Sequence, residues 1–278
     1  MVQSRRLSPK TFMKELVYRF QHDEVAGLAA QLAYFFLLSL FPFLIFLVTL
    51  FGYLPLQAED FLNVIRQYAP GETMELIEST LGNVLDDQRT GLLSFGIIAT
   101  IWSASNGINA IMRAFNRAYD IDEERSFIIT RMIAIVLTLA MIFVIIVSLL
   151  LPVFGKAIGL FVFSHFGLST TFLTIWNALR FILSFVIMVV VFAALYYIAP
   201  SRKLSITEVW FGALFATIGW QLVSLGFSYY VDSFGNYSAT YGSLGGIIVL
   251  MIWFYLSAII IILGGEINAI LRFLKTAN

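Results

Sequence analysis

Between Val25 and Leu54 the chain runs for almost thirty residues without one charged side chain, and that stretch decides what the molecule can be. About 20 apolar residues cross the hydrocarbon core of a bilayer, so this segment crosses with length to spare. Pro42, in its middle, removes a backbone donor and crowds the preceding turn, which predicts a kink. Composition agrees: 60% of the residues are hydrophobic and 12% are charged, about half the charged share of a soluble domain. With no cysteine, disulfides, thiolate metal sites and a thiol nucleophile are excluded. The basic segment ahead of the span exceeds twenty residues, and the apolar run outlasts a signal-peptide core, so the span reads as an uncleaved anchor.

Charge-poor runs recur at Gly91–Met112, Met132–Phe154, Thr174–Pro200, Val209–Val231 and Leu244–Leu271. Each is apolar around its whole circumference, and unpaired backbone groups are not tolerated in hydrocarbon, so helices are the form these runs must take. The predicted fold is all-α, a polytopic membrane bundle of six transmembrane helices with amphipathic interfacial helices, in one membrane domain spanning 1–278.

Basic residues set an orientation. Arg5, Arg6, Lys10, Lys14 and Arg19 precede the first span; Arg113, Arg117, Arg125 and Arg131 lie about the second connection; Arg202 and Lys203 lie in the fourth; Arg272 and Lys275 lie in the tail. The opposite connections hold only Arg66, Arg89 and Lys156, and Arg180 falls inside a span. The positive-inside rule then puts both termini in the cytoplasm. Residues 1–24 form a cytoplasmic basic segment in which Ser8-Pro9 reads as a helix start. Phe12, Met13, Leu16 and Phe20 follow at helical spacing, which fits a helix held on the inner surface by anionic lipid or a plain topology-setting tail. The connection 55–90 is acidic and faces outward; Met74, Ile77, Leu81 and Val84 at helical spacing predict amphipathic helices that serve as a cap or a lid.

Three stretches resemble the YihY/BrkB membrane family. Leu32-Ala33-Tyr34-Phe35-Phe36-Leu37-Leu38-Ser39-Leu40-Phe41-Pro42 is similar to its first-span signature, and Arg113-Ala114-Phe115-Asn116-Arg117-Ala118-Tyr119 to its cytoplasmic motif. The third, from Tyr237 to Ala269, opens Tyr-Ser-Ala-Thr-Tyr-Gly-Ser-Leu-Gly-Gly and closes Gly-Gly-Glu-Ile-Asn-Ala. The resemblance runs from about Arg19 to Leu271 in the family's order, departing at Phe211-Gly212-Ala213, where a proline is expected before the glycine. It implies an inner-membrane protein of six spans with a role in transport or envelope lipids, and an older ribonuclease label that is regarded as mistaken. It implies no substrate.

The residues themselves give the nuclease reading little to work with. Metal-assisted hydrolysis needs His, Asp or Glu clustered on one or two ions. The predicted topology puts His22 and His165 on opposite sides. Asp120-Ile121-Asp122-Glu123-Glu124, flanked by Arg117 and Arg125, reads as a solvated or self-paired loop. No phosphate loop, nucleophile elbow or nucleic-acid patch is present, so no enzyme, cofactor, metal or nucleic-acid partner is expected.

Polar groups inside spans carry the stronger signal, because they are costly there and face a bundle interior or a wet cavity. Glu266 lies roughly 7 Å inside the last span at the helical rise. Gln31 and Asn268 sit near its depth, and Ser103, Asn106, Asn109 and Arg113 form a stripe on the second span. Together they predict a polar pocket open to the cytoplasm. For the neutral members, hydrogen bonds that glue helices together are the favoured reading over substrate contact. Glu266 reads as a substrate or proton-exchange group, or as a structural bond to the second span. Arg180, in the outer half of the fourth span, reads as a snorkelling cation or an anion contact. From Asp232 to Ser243 the chain reads as a packing turn or a re-entrant element, and Gly242 with Gly246 as a site of close helix approach.

Two functions follow. One is a transporter or flippase-like handler of a lipid or amphipathic anion, using Glu266, Gln31, Asn106 and Asn109, with Arg113 and Arg117 attracting the anionic group. The other is a non-transporting scaffold docking envelope partners through its surface segments. Membrane lipids are the expected partners, and self-association stays open.

Overall fold

The computed structural model describes residues 9–51, 90–143, 170–234 and 244–276. The acidic connection after the first span, His165 and the turn before the last span lie outside the described residues, as do the side chains of Asn177 and Arg180. The described chain is helical: α1 Pro9–His22, α2 Val25–Phe51, α3 Thr90–Ala118, α4 Phe127–Phe143, α5 Thr170–Ile198, α6 Ile206–Phe234 and α7 Leu244–Thr276. Among them α2, α3, α5, α6 and α7 are long and apolar enough to cross a membrane. The remaining apolar helix, α4, is the described start of the predicted third span. The all-α membrane bundle read from the sequence is the observed fold.

Helices outrun their apolar runs. The second span ends by hydropathy at Met112, whereas α3 continues to Ala118, because arginines are good helix formers and extend a helix past the hydrocarbon. The helix of the first span, α2, passes unbroken through Pro42. The described part of α1 runs from Pro9; Ser8, expected from the sequence to cap it, lies outside the described residues.

Two compact units divide the chain: Met1–Tyr34 with Ser105–Asn278, and Phe35–Ala104. In the smaller one, α2 and α3 meet at Gly96, where a Cβ would stand 2.9 Å from the backbone nitrogen of Phe46. The larger unit is built on consecutive packing of α5 on α6 and α6 on α7, with α1 laid against α7. Its outer surface is apolar, as a lipid-embedded bundle requires: Ile182, Leu222 and Leu225 are each at least 60% exposed.

The α6–α7 seam is the closest approach. A Cβ on Gly212 would strike the Gly264 carbonyl and the Asn268 amide, and one on Gly264 would strike the Tyr196 hydroxyl. Small residues let membrane helices draw their backbones together in this way. Asn268 uses both ends of its amide there: Oδ1 accepts from Gly212 N at 2.7 Å and Nδ2 donates to Val209 O at 3.2 Å. The buried Tyr196 hydroxyl donates to Ile261 O at 2.7 Å. Farther along the seam Gly219 faces Ile260, and Trp253 Nε1 donates to Ser224 Oγ at 3.2 Å. The sequence placed close approach at Gly242 and Gly246. Gly242 lies outside the described residues, and nothing described stands within 4 Å of where a Gly246 Cβ would be. At the family departure, Phe211 is 60% exposed, so the missing proline leaves the seam at Gly212 intact.

Candidate functional site

One end of the larger unit gathers most of the charged groups described in it, and Glu266 is the centre of that arrangement. Beside it on α7, Gly265 leaves room for the Phe115 ring, which would come within 2.6 Å of a Cβ, and Phe115 packs on Tyr196 with ring centroids 5.0 Å apart. Glu266 itself is closed off, with 0% of the residue exposed. Neither carboxylate oxygen has a hydrogen-bond partner among the described residues.

Its charge is opposed by a residue from outside the spans. Arg19 of α1 brings Nη1 to 3.7 Å from Glu266 Oε2. The same Nη1 donates to the carbonyl of Ala118, the last residue of α3, at 2.8 Å. Nε donates to Glu15 Oε1 at 3.1 Å, and the guanidinium lies over the Phe273 ring at 5.0 Å. One arginine thus ties α1 to α7 and to the carbonyl end of α3, where a helix dipole favours a cation. Close by, the Tyr119 hydroxyl is buried with no partner among the described residues, and burial pushes this phenol above its usual range.

A second arginine fixes the joint between α1 and α2. Glu24 takes a left-handed φ of 55°, a conformation costing a non-glycine residue about 1–2 kcal/mol, and this ends α1. Arg117 spans the joint: Nη2 donates to His22 O at 3.0 Å, Nη1 lies 3.5 Å from Glu24 Oε2, and Nε lies 3.8 Å from the buried Asp23 carboxylate. His22 Nδ1 stands 2.9 Å from the same Asp23 oxygen.

Arg125 performs a third closure. It reaches Glu123 through Nε at 2.7 Å and Nη2 at 2.9 Å, and Nη2 also donates to Ala199 O at 2.8 Å, capping α5. Asn116 braces this turn by donating to Glu123 Oε2 at 3.0 Å and accepting from Ser201 N at 2.8 Å. The hydrogen bonds from Arg125 hold the Glu123 carboxyl down at about 2, against an ordinary 4.5. At the start of α6, Glu208 accepts from Ser205 N at 2.8 Å, the side-chain half of a capping box, and from Arg272 at 2.9 Å.

The residues singled out from the sequence divide among these pairs. Gln31 Oε1 accepts from Arg113 Nη2 at 3.1 Å on the exposed surface. Asn106 Oδ1 accepts from Arg131 at 2.7 Å. Asn109 keeps a buried Oδ1 with no partner among the described residues. Arg117 is engaged by Asp23 and Glu24, and Arg113 and Arg117 line an open hollow of ≈ 370 Å³ together with Asn116 and residues 120–123. Asn268 faces α6. Arg180 lies on α5, its side chain outside the described residues. Arg19 and Asp23 are not among the residues singled out; the one trace in the sequence is the azimuth of Arg19, which does not say what it meets. At 100° per residue Arg19 falls opposite Lys10, on the face of α1 turned away from its lysines.

The model of the virulence factor BrkB family matches residues 16–277. The ribonuclease-like protein YfkH of Bacillus subtilis (strain 168) is 59% identical over 262 residues, covering 94% of this chain and 95% of that protein. A UPF0761 membrane protein of Aeromonas salmonicida (strain A449) is 31% identical over 267 residues, covering 91% and 86%. Another, of Pseudoalteromonas atlantica, is 27% identical over 276 residues, covering 94% and 86%. No solved structure matches. With nearly its whole length matched, from α1 to the end of α7, this multi-pass membrane protein belongs to the virulence factor BrkB family.

Proposed function

We propose that this chain is a transporter or flippase-like protein that handles a lipid or amphipathic anion, not an enzyme. It works in the cytoplasmic membrane with both termini in the cytoplasm, the orientation favoured by its basic residues. The observation that carries the reading is Glu266. A carboxylate sealed inside a membrane helix is costly and is kept where a pathway or proton relay needs it. Here the counter-charge stands at 3.7 Å, beyond hydrogen-bond length, on a helix outside the spans. The pair is held well enough to close and loosely enough to open. When it opens, Arg19 and Arg113 offer cations to an anionic headgroup, and Glu266 is free to exchange a proton.

A nuclease needs free carboxylates for a metal. In the acidic turn, Glu123 is already engaged by Arg125 and Asn116. The ribonuclease-like name belongs to the Bacillus relative; purified protein of this chain is expected to leave RNA uncut even with magnesium, manganese or zinc ions added.

Lipid mass spectrometry on gently purified protein tests the proposal. One lipid or lipid precursor enriched in wild type and lost from well-folded Glu266→Gln supports it. Bulk lipid alone, the same in both, contradicts it and favours the scaffold.

A further inference from the structure

The helix that carries Arg19 has a second face, and the bundle does not cover it. Phe12, Glu15, Leu16, Arg19 and Phe20 are partly buried on the side of α1 packed on α7. Opposite them Met13 is 55% exposed, Val17 56% and Tyr18 57%, and Lys10 and Lys14 are exposed between them. At 100° per residue these five occupy one continuous arc. No carboxylate lies on that arc: Glu15 is drawn to the other side by Arg19, its Oε1 3.1 Å from Nε.

We propose that α1 docks by this face onto the anionic surface of the bilayer that its own spans cross. Three observations select that occupant. First, only Asp23 and Glu24 separate α1 from Val25, where the apolar span of α2 begins, so α1 lies at the membrane surface. Second, three large apolar side chains flanked by lysines form the pattern of a helix seated at the boundary between headgroups and acyl chains. Third, a second copy of the same face would set lysine against lysine, whereas anionic headgroups complement them. Each lysine near such a surface strengthens binding by about fivefold. One face of α1 therefore reads lipid charge while the other holds Arg19 beside Glu266. This inference goes beyond the transport reading and does not depend on it.

The chain has no cysteine, so Val17→Cys supplies a single thiol in the full-length protein. Its reaction with an uncharged water-soluble maleimide is followed in nanodiscs of phosphatidylcholine with and without phosphatidylglycerol. Lys203→Cys, on the exposed turn between α5 and α6, reports arrival of the reagent. Relative to that control, Val17→Cys is expected to react at least roughly tenfold more slowly when phosphatidylglycerol is present, since two lysines at about fivefold each act together. Lys10→Gln with Lys14→Gln restores the faster reaction. Met13→Cys repeats the test should Val17→Cys fold poorly. Reaction as fast as the control in both lipids, protection that ignores lipid charge, or a disulfide-linked dimer through Val17→Cys would each overturn the proposal. Because the readout is protection and not lipid movement, its failure is distinguishable from failure of the transport reading.

Discussion

Glu266 and Asn268 lie two residues apart on α7, both wholly buried, and they are treated in opposite ways. Asn268 faces α6, where glycines on both helices bring the backbones together and each end of its amide has a partner. Glu266 faces α1 and has only a long, flexible arginine at 3.7 Å, with both oxygens lacking a hydrogen bond among the described residues. The α6–α7 seam is held by close backbone approach and short hydrogen bonds. At the α1–α7 junction the polar contact to Glu266 comes from one side chain, whose other partners are the Ala118 carbonyl and Glu15. Polar burial of equal depth is therefore fully hydrogen-bonded in one case and, among the described residues, met only by an ion pair in the other.

The strongest way to break this contrast is to widen the seam. Gly212→Leu or Gly264→Leu puts carbon atoms where the facing backbone already stands, and is expected to cost about 3 kcal/mol or more, read as loss of monodisperse protein and a collapsed melting temperature. Next comes Arg19→Leu, which strands a buried carboxylate. About 3 kcal/mol of destabilisation is expected, and most of it should return in the double variant with Glu266→Gln. A double variant no more stable than Arg19→Leu would show that the two side chains are not coupled. Asn268→Leu removes two interhelical hydrogen bonds and should cost about 1–2 kcal/mol, with the melting temperature of the reconstituted protein as the measure. The smallest effect concerns Glu123. Its carboxyl is held below the ordinary value, so the stability it contributes is present above pH 4.5 and is lost as pH falls through about 2. Melting curves of wild type and Glu123→Gln should differ at pH 6 and converge toward pH 2; a gap that stays constant across that range would contradict the Arg125 pairing.

Much of this was legible before any coordinates. Span positions follow from apolar runs too long for anything but membrane helices. Glu266 stands out because a carboxylate in such a run is expensive wherever it points. What hydropathy cannot resolve is which way a buried polar residue turns. Gln31, Asn106 and Asn268 were grouped with Glu266 by depth, yet they pair with Arg113, Arg131 and the α6 backbone respectively, because azimuth around a helix that is apolar on all sides leaves no periodic trace. Arg19 was hidden for a different reason. In a basic segment it looked like one more topology signal, and its role depends on α1 folding back onto α7, a long-range contact that no local pattern encodes.

The most direct test pits Glu266→Gln against Asn268→Leu in proteoliposomes, measuring melting temperature and transbilayer movement of a labelled anionic phospholipid in the same preparations. Glu266→Gln is expected to melt near wild type and lose lipid movement, while Asn268→Leu melts lower and, where folded, still moves lipid. Lipid movement preserved in Glu266→Gln, or a melting temperature that falls as far as that of Asn268→Leu, would contradict the assignment of Glu266 as the working residue.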